Sequence, residues 1–271
     1  MHVPLEFTFL LPLSLGLPCL AAAQQDDWVP SHEQSVELAE DIQDVPSLDL
    51  RVDEDPFKRA FLIGLDEEKK APRGGYGVIV VLPGSHWGPS FASFVHRIHK
   101  HAVPGGFLTL QLVAPEWKPG QHDSLTWVTE RSGLKEAEFT TEVFVNEALA
   151  EVARRTRINK KKIFSLSWSS GGPPANDLSL QRKTPLSGSV ILMSVFYPSR
   201  LPSLSRAKGY RYYLMQSPED KVTHFSQAEK AKEALEKNKA EVHLESYEGG
   251  HAFPLPVYPR LAAAFEWLQD G

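Results

Sequence analysis

Three short segments carry residue types suited to nucleophilic catalysis. In Ile163-Phe164-Ser165-Leu166-Ser167-Trp168-Ser169-Ser170-Gly171-Gly172-Pro173, an apolar run enters small residues, a central serine and two glycines, with proline at a first helical position. This is the layout of a nucleophile elbow, a tight strand-to-helix turn that lifts a serine side chain above the sheet edge. The segment Ser167-Trp168-Ser169-Ser170-Gly171 departs from G-x-S-x-G at its first position, where serine is still small. The glycine spacing favours Ser169 over Ser167 and Ser170 as the nucleophile. Such a serine needs a base, and the base an orienting carboxylate. Glu248-Gly249-Gly250-His251 supplies a histidine, and Ser217-Pro218-Glu219-Asp220-Lys221-Val222 supplies two adjacent acids. Two backbone N–H groups must also stabilise the developing oxyanion, each worth about 3 kcal/mol in the transition state. Ser170, next to the nucleophile, offers one. Ser85 in Pro83-Gly84-Ser85-His86-Trp87-Gly88 offers the other, with Gly84 allowing the turn.

These groups can meet only if the elements around them bring them to one edge. From about Asp49 onward, strand and helix patterns alternate. Phe57 to Leu65, Tyr76 to Leu82, Phe107 to Val113, Lys162 to Ser167, Val190 to Phe196, Tyr210 to Met215 and Glu241 to Tyr247 read as strands. Tyr76 to Leu82 (YGVIVVL) is the continuous β-branched run of a buried strand. Phe91, Phe94, Val95, Ile98 and Ala102 recur at helical spacing. A second helix begins near Thr140 and ends in the basic run Arg154 to Lys162. A third starts near Pro173. Ser226-Gln227-Ala228-Glu229 fits a capping box opening a fourth, and Leu261, Ala264, Phe265 and Leu268 form one face of a closing helix. The alternation predicts an α/β fold, a mostly parallel sheet covered on both faces. The serine, acid and histidine then each follow a strand. The long unpatterned stretch Pro115 to Phe139 is either a wall of a binding cleft or a structural loop packing Trp117 and Trp127.

Composition bounds the rest. With 271 residues, 42% hydrophobic and 23% charged, the chain is neither disordered, collagen-like nor a coiled coil. Residues 1–23 end in an apolar region and Ala21-Ala22-Ala23, which predicts a cleaved signal peptide and a secreted or periplasmic protein with no membrane span after cleavage. The single Cys19 lies in that leader, so no disulfide framework, cysteine zinc site or catalytic thiol is expected. Residues 24–48 form an acidic lead-in, and the mature domain is assigned to 49–271. Between Gln24 and Pro56 stand eleven acidic residues and one base. The remaining body is only mildly basic, and it carries no nucleic-acid motif. His96, His99 and His101 lack a carboxylate at ligand spacing, so no metal is expected. His86, Trp87 and Trp168 flank the reacting groups and are pocket candidates, although a solvent-facing histidine and core-filling tryptophans fit equally.

In VVLPG, SWSSGG, SPEDKV and YEGGH, taken in that order, the chain resembles the α/β-hydrolase superfamily from about Asp49 to Leu268. The likeness is greatest to secreted carboxylesterase, phospholipase/carboxylesterase and polyhydroxybutyrate-depolymerase-like members. The resemblance implies Ser169 as nucleophile, His251 as base, Asp220 rather than Glu219 as acid, and Ser85 and Ser170 as oxyanion donors. It also implies hydrolysis of small or polymeric carboxylic esters through an acyl-enzyme, without a cofactor. A peptidase of the same fold and a silent binding protein on this scaffold are the rival readings. The Ser85-His86-Trp87 turn lacks the family's usual second glycine, which bears on pocket shape and substrate size.

Overall fold

The run Tyr76–Leu82 is buried on both sides because its side chains feed two cores at once. Val78, Val80 and Leu82 enter one, and Ile79 and Val81 the other. In the computed structural model, which describes residues 41–85 and 91–270, this strand (β3) lies inside an eight-stranded sheet. The others are β1 Ser47–Arg51, β2 Arg59–Ile63, β4 Phe107–Leu112, β5 Ile158–Trp168, β6 Gly188–Leu192, β7 Arg211–Gln216 and β8 Glu241–Ser246. Their order is β1-β2-β4-β3-β5-β6-β7-β8. The pairs β1–β2 and β2–β4 are antiparallel, and every later pair is parallel.

Among the described residues, five α-helices cover the two faces. Helices α2 Thr141–Arg155, α3 Gly172–Ser179 and α4 Phe225–Lys237 contribute to the core with Val80, while α1 Ala92–His101 and α5 Val257–Gln269 contribute to that with Ile79. Helix α2 begins where its sequence indicates, with the Thr140 hydroxyl accepting from the Val143 amide at 3.4 Å. Such caps satisfy one of the orphan N–H groups of a first turn.

Several boundaries differ from the sequence expectation. β1 lies where no strand was expected, and Pro46 just before it takes up the Gly64 amide at 2.8 Å. The capping box at Ser226 does not form. Helix α4 starts at Phe225 after His224, and Gln227 accepts from the Phe196 amide at 3.0 Å. The basic run assigned to the end of α2 is split, because Lys160, Lys161 and Lys162 belong to the exposed start of β5. The tail of the acidic segment is tied to α1: Lys100 Nζ lies 2.8 Å from Asp44 and His101 Nε2 2.7 Å from Asp41. The assigned signal peptide and residues 24–40 lie outside the described residues. Among the described residues, no helix is long and apolar enough to cross a membrane.

Candidate active site

Parallel strands bring their carboxyl ends to one edge, and the register aligns them there. Leu82 at the end of β3 pairs with Ser167 of β5, and Leu192 of β6 pairs with Trp168. The chain must then turn sharply into α3, and Ser169 does so at φ +51. This left-handed backbone is unfavourable for a residue with a side chain, but it presents the hydroxyl outward. Neighbouring glycines make the space. A Cβ at Gly171 would lie 1.9 Å from the Leu82 carbonyl oxygen, and one at Gly84 would lie 3.1 Å from Ser169 Cβ. Gly84 does not adopt a left-handed backbone. Its small size is required by the elbow beside it rather than by its own turn.

Asp220 stands in the loop after β7 and is 2% exposed. Its Oδ1 accepts from the amides of Val222 and Thr223, both at 2.8 Å. Its Oδ2 accepts from Thr223 Oγ1 at 2.7 Å, Gln216 Nε2 at 2.8 Å and His251 Nδ1 at 2.7 Å. Burial works against ionisation, but the bonds from His251 and Thr223 outweigh it and hold the carboxyl at about 2. Asp220 is therefore a carboxylate throughout the neutral range.

His251 comes from the loop after β8, three strands away from β5. At about 4.8 Å per strand that is about 14 Å, so the loop must travel back across the sheet edge. Gly249 and Gly250 permit this with φ values of +120 and +68. The Gly250 amide donates to Ser217 Oγ at 3.1 Å, and the Gly249 amide to Glu219 Oε2 at 3.1 Å. Tyr247 hydroxyl closes the loop on the Ala252 carbonyl at 2.8 Å. The imidazole thereby bridges the other two groups. With its Nδ1 proton directed at Asp220, Nε2 is left to accept from Ser169 Oγ at 3.1 Å.

The structure thus brings Ser169, Asp220 and His251 into one hydrogen-bonded line, and it separates them from their sequence rivals. Glu219 serves the histidine loop, while Ser167 is fully buried in β5, its hydroxyl without a partner. Ser170 directly follows Ser169, and Ser85 follows the Gly84 that packs on it. Trp168 is 3% exposed, with its ring 5.1 Å from Phe91 and 5.2 Å from Phe253, so it fills the core beside the serine. His86 and Trp87 lie outside the described residues. His96, His99 and His101 turn to separate partners: the Ala92 carbonyl, Thr109 and Asp41.

Two contributors escape a motif reading. Thr223 lies one residue past the SPEDKV segment, and its hydroxyl is 3.3 Å from His251 Nδ1 as well as bonded to Asp220. Trp127, in the long loop, donates its indole N–H to the Pro83 carbonyl at 2.8 Å, immediately before Gly84 and Ser85. That loop acts here as a buttress for the turn after β3. It is anchored right beside Trp127 by Thr141, whose hydroxyl donates to the Val128 carbonyl at 2.7 Å.

No family model matches the chain, and no curated protein does. Solved structures do. A Bacillus cereus carboxylesterase superposes with a TM-score of 0.54 at 17% identity, covering 74% of this chain and 92% of its own. MGS-M1, an α/β-hydrolase enzyme from a Medee basin deep-sea metagenome library, gives 0.60 at 13% identity over 83% and 97%. Thermogutta terrifontis esterase 2, in a form phosphonylated by cyclosarin, gives 0.59 at 12% identity over 84% and 95%. With the sheet order and the sharp turn after β5, these likenesses define the α/β-hydrolase fold.

Proposed function

We infer that the protein is a serine hydrolase that cleaves carboxylic esters through an acyl-enzyme. The observation that carries this reading is the continuous line from Ser169 Oγ through His251 to Asp220, with gaps of 3.1 and 2.7 Å. In this reading Ser169 Oγ attacks the ester carbonyl carbon while its proton passes to His251 Nε2. The backbone amides of Ser85 and Ser170 receive the oxyanion. Collapse of the tetrahedral adduct breaks the bond to the alcohol, which leaves with the proton from His251. Water then gives a proton to His251 and attacks the acyl carbon; collapse of this second adduct breaks the acyl–Oγ bond, and His251 returns the proton to Ser169 Oγ as the acid leaves. Asp220 keeps the imidazole in the productive tautomer and stabilises its cation.

The leader expected over residues 1–23 favours a secreted or periplasmic enzyme acting on small or polymeric esters. Turnover of p-nitrophenyl acetate and butyrate by the wild-type protein and Ser169→Ala tests the assignment. Ser169→Ala is expected to lose at least about a thousandfold in kcat, and equal rates in the two proteins would remove Ser169 from the mechanism. A fluorophosphonate labels only an activated serine. Failure to label folded wild-type protein would favour a silent binding role.

A further inference from the structure

β6 lies between the serine strand and the acid strand, so any link between their functional ends must cross its carboxyl end. Met193, which follows β6, has φ +38, a strained value for a residue with a side chain. Beyond it, Ser194 sits beneath the elbow. Its hydroxyl donates to the Ser169 carbonyl at 2.7 Å, and a Cβ at Gly172 would meet that hydroxyl oxygen at 2.0 Å. The Ser194 amide donates to Gln216 Oε1 at 3.1 Å. Gln216 is 1% exposed, and its Nε2 donates to Asp220 Oδ2 at 2.8 Å and to the Thr223 carbonyl at 2.6 Å. The amide has only one workable orientation. Reversed, it would set NH2 against N–H and a carbonyl oxygen against a carboxylate.

We propose that Gln216 and Ser194 are positioning residues that tie the Ser169 elbow and the Asp220 carboxylate into one frame, with Gln216 setting the orientation of Asp220 toward His251. This rests on the triad reading above. The Gln216 side chain is buried and bonds Asp220, Thr223 and Ser194 instead of Ser169 or His251, so its effect must pass through Asp220. Removing its NH2 strips one of three donors from Oδ2, and removing its oxygen orphans the buried Ser194 amide. Both losses fall where compensation by solvent is poor.

Gln216→Met is expected to lower kcat on the order of tenfold with KM nearly unchanged. In an Asp220→Asn background the same change is expected to cost nothing further, because coupled residues are not additive. Gln216→Glu keeps the acceptor for Ser194 but faces Asp220 with a second carboxylate. It is expected to move the acid limb of kcat/KM to higher pH, and it serves as the test should Gln216→Met not fold. The His251 Nδ1 proton, followed by NMR, is expected to shift in both variants. A wild-type kcat in Gln216→Met, full additivity with Asp220→Asn, or an unmoved proton resonance would overturn the proposal. A displaced resonance in a protein that hydrolyses no ester would instead sink the catalytic reading and leave the positioning role standing.

Discussion

At the level of single residues, the site depends on atoms that are absent as much as on those present. Gly171 passes under β3 so closely that a methyl group would overlap the Leu82 carbonyl oxygen, a backbone atom that cannot swing away. Gly171→Ala is therefore expected to destabilise by more than about 2 kcal/mol, visible as a large fall in Tm. Gly84→Ala meets Ser169 Cβ and Trp168 at 3.1 Å, and should keep most of the Tm while lowering kcat. An unchanged Tm for Gly171→Ala would mean the elbow has slack that the contacts deny it. That Ser169, Asp220 and His251 come together was legible from residue type and order, because each follows a strand whose end lies on the same sheet edge. Thr223 and Gln216 were not legible. Polar residues near strand ends are common, and only the folded geometry shows that both aim at one carboxylate oxygen.

At the level of elements, continuous apolar runs were the readable signal. β3 has the expected ends, Tyr76 and Leu82, and β4 differs by one residue. β1 was hidden because its SLDLR sequence alternates, with only Leu50 buried, and it gains its strand identity by pairing antiparallel with β2. The capping box failed because helix α4 already starts at Phe225, which places Ser226 inside the first turn instead of at the cap, while Gln227 finds a tertiary partner in the Phe196 amide. The long loop shows a similar override, since Trp127 looked equally like cleft wall or filler until its bond to the Pro83 carbonyl placed it behind the turn after β3. Trp127→Phe keeps one aromatic ring but removes that N–H and part of the buried packing. It is expected to lower kcat on the order of tenfold with little change in KM, because the bond fixes where Ser85 sits rather than binding substrate. A wild-type kcat in this variant would show that the turn holds its place without the loop.

At the level of the whole molecule, one buried pair links stability to pH. Asp177 on α3 is 2% exposed, and Glu142 at the start of α2 is 4% exposed. Burial, reinforced by the Glu142 carboxyl, pushes Asp177 up to about 7, against the weaker pull of Gln181 and Arg131. Its folded pKa is thus raised above the unfolded value. The associated stability is fully present below about pH 4 and is lost as pH rises through about 7. Asp177→Asn cannot ionise. Urea midpoints at pH 5.5 and 8.5 are expected to fall more for the wild-type protein than for this variant, and equal falls would acquit the pair. The fold as a whole was readable because a doubly covered parallel sheet imposes its pattern along the chain, whereas this pair joins two helices through positions that each read as ordinary surface acids.

A nucleophilic Ser169 must become acylated during turnover. Rapid quenching of the wild-type protein with p-nitrophenyl acetate, followed by peptide mass spectrometry, tests it directly. One acetyl group is expected on the peptide containing Ser169, absent in Ser169→Ala and lost from the wild-type protein once substrate is consumed. Ester turnover with no acetyl on that peptide, or with the group on another residue, would contradict it.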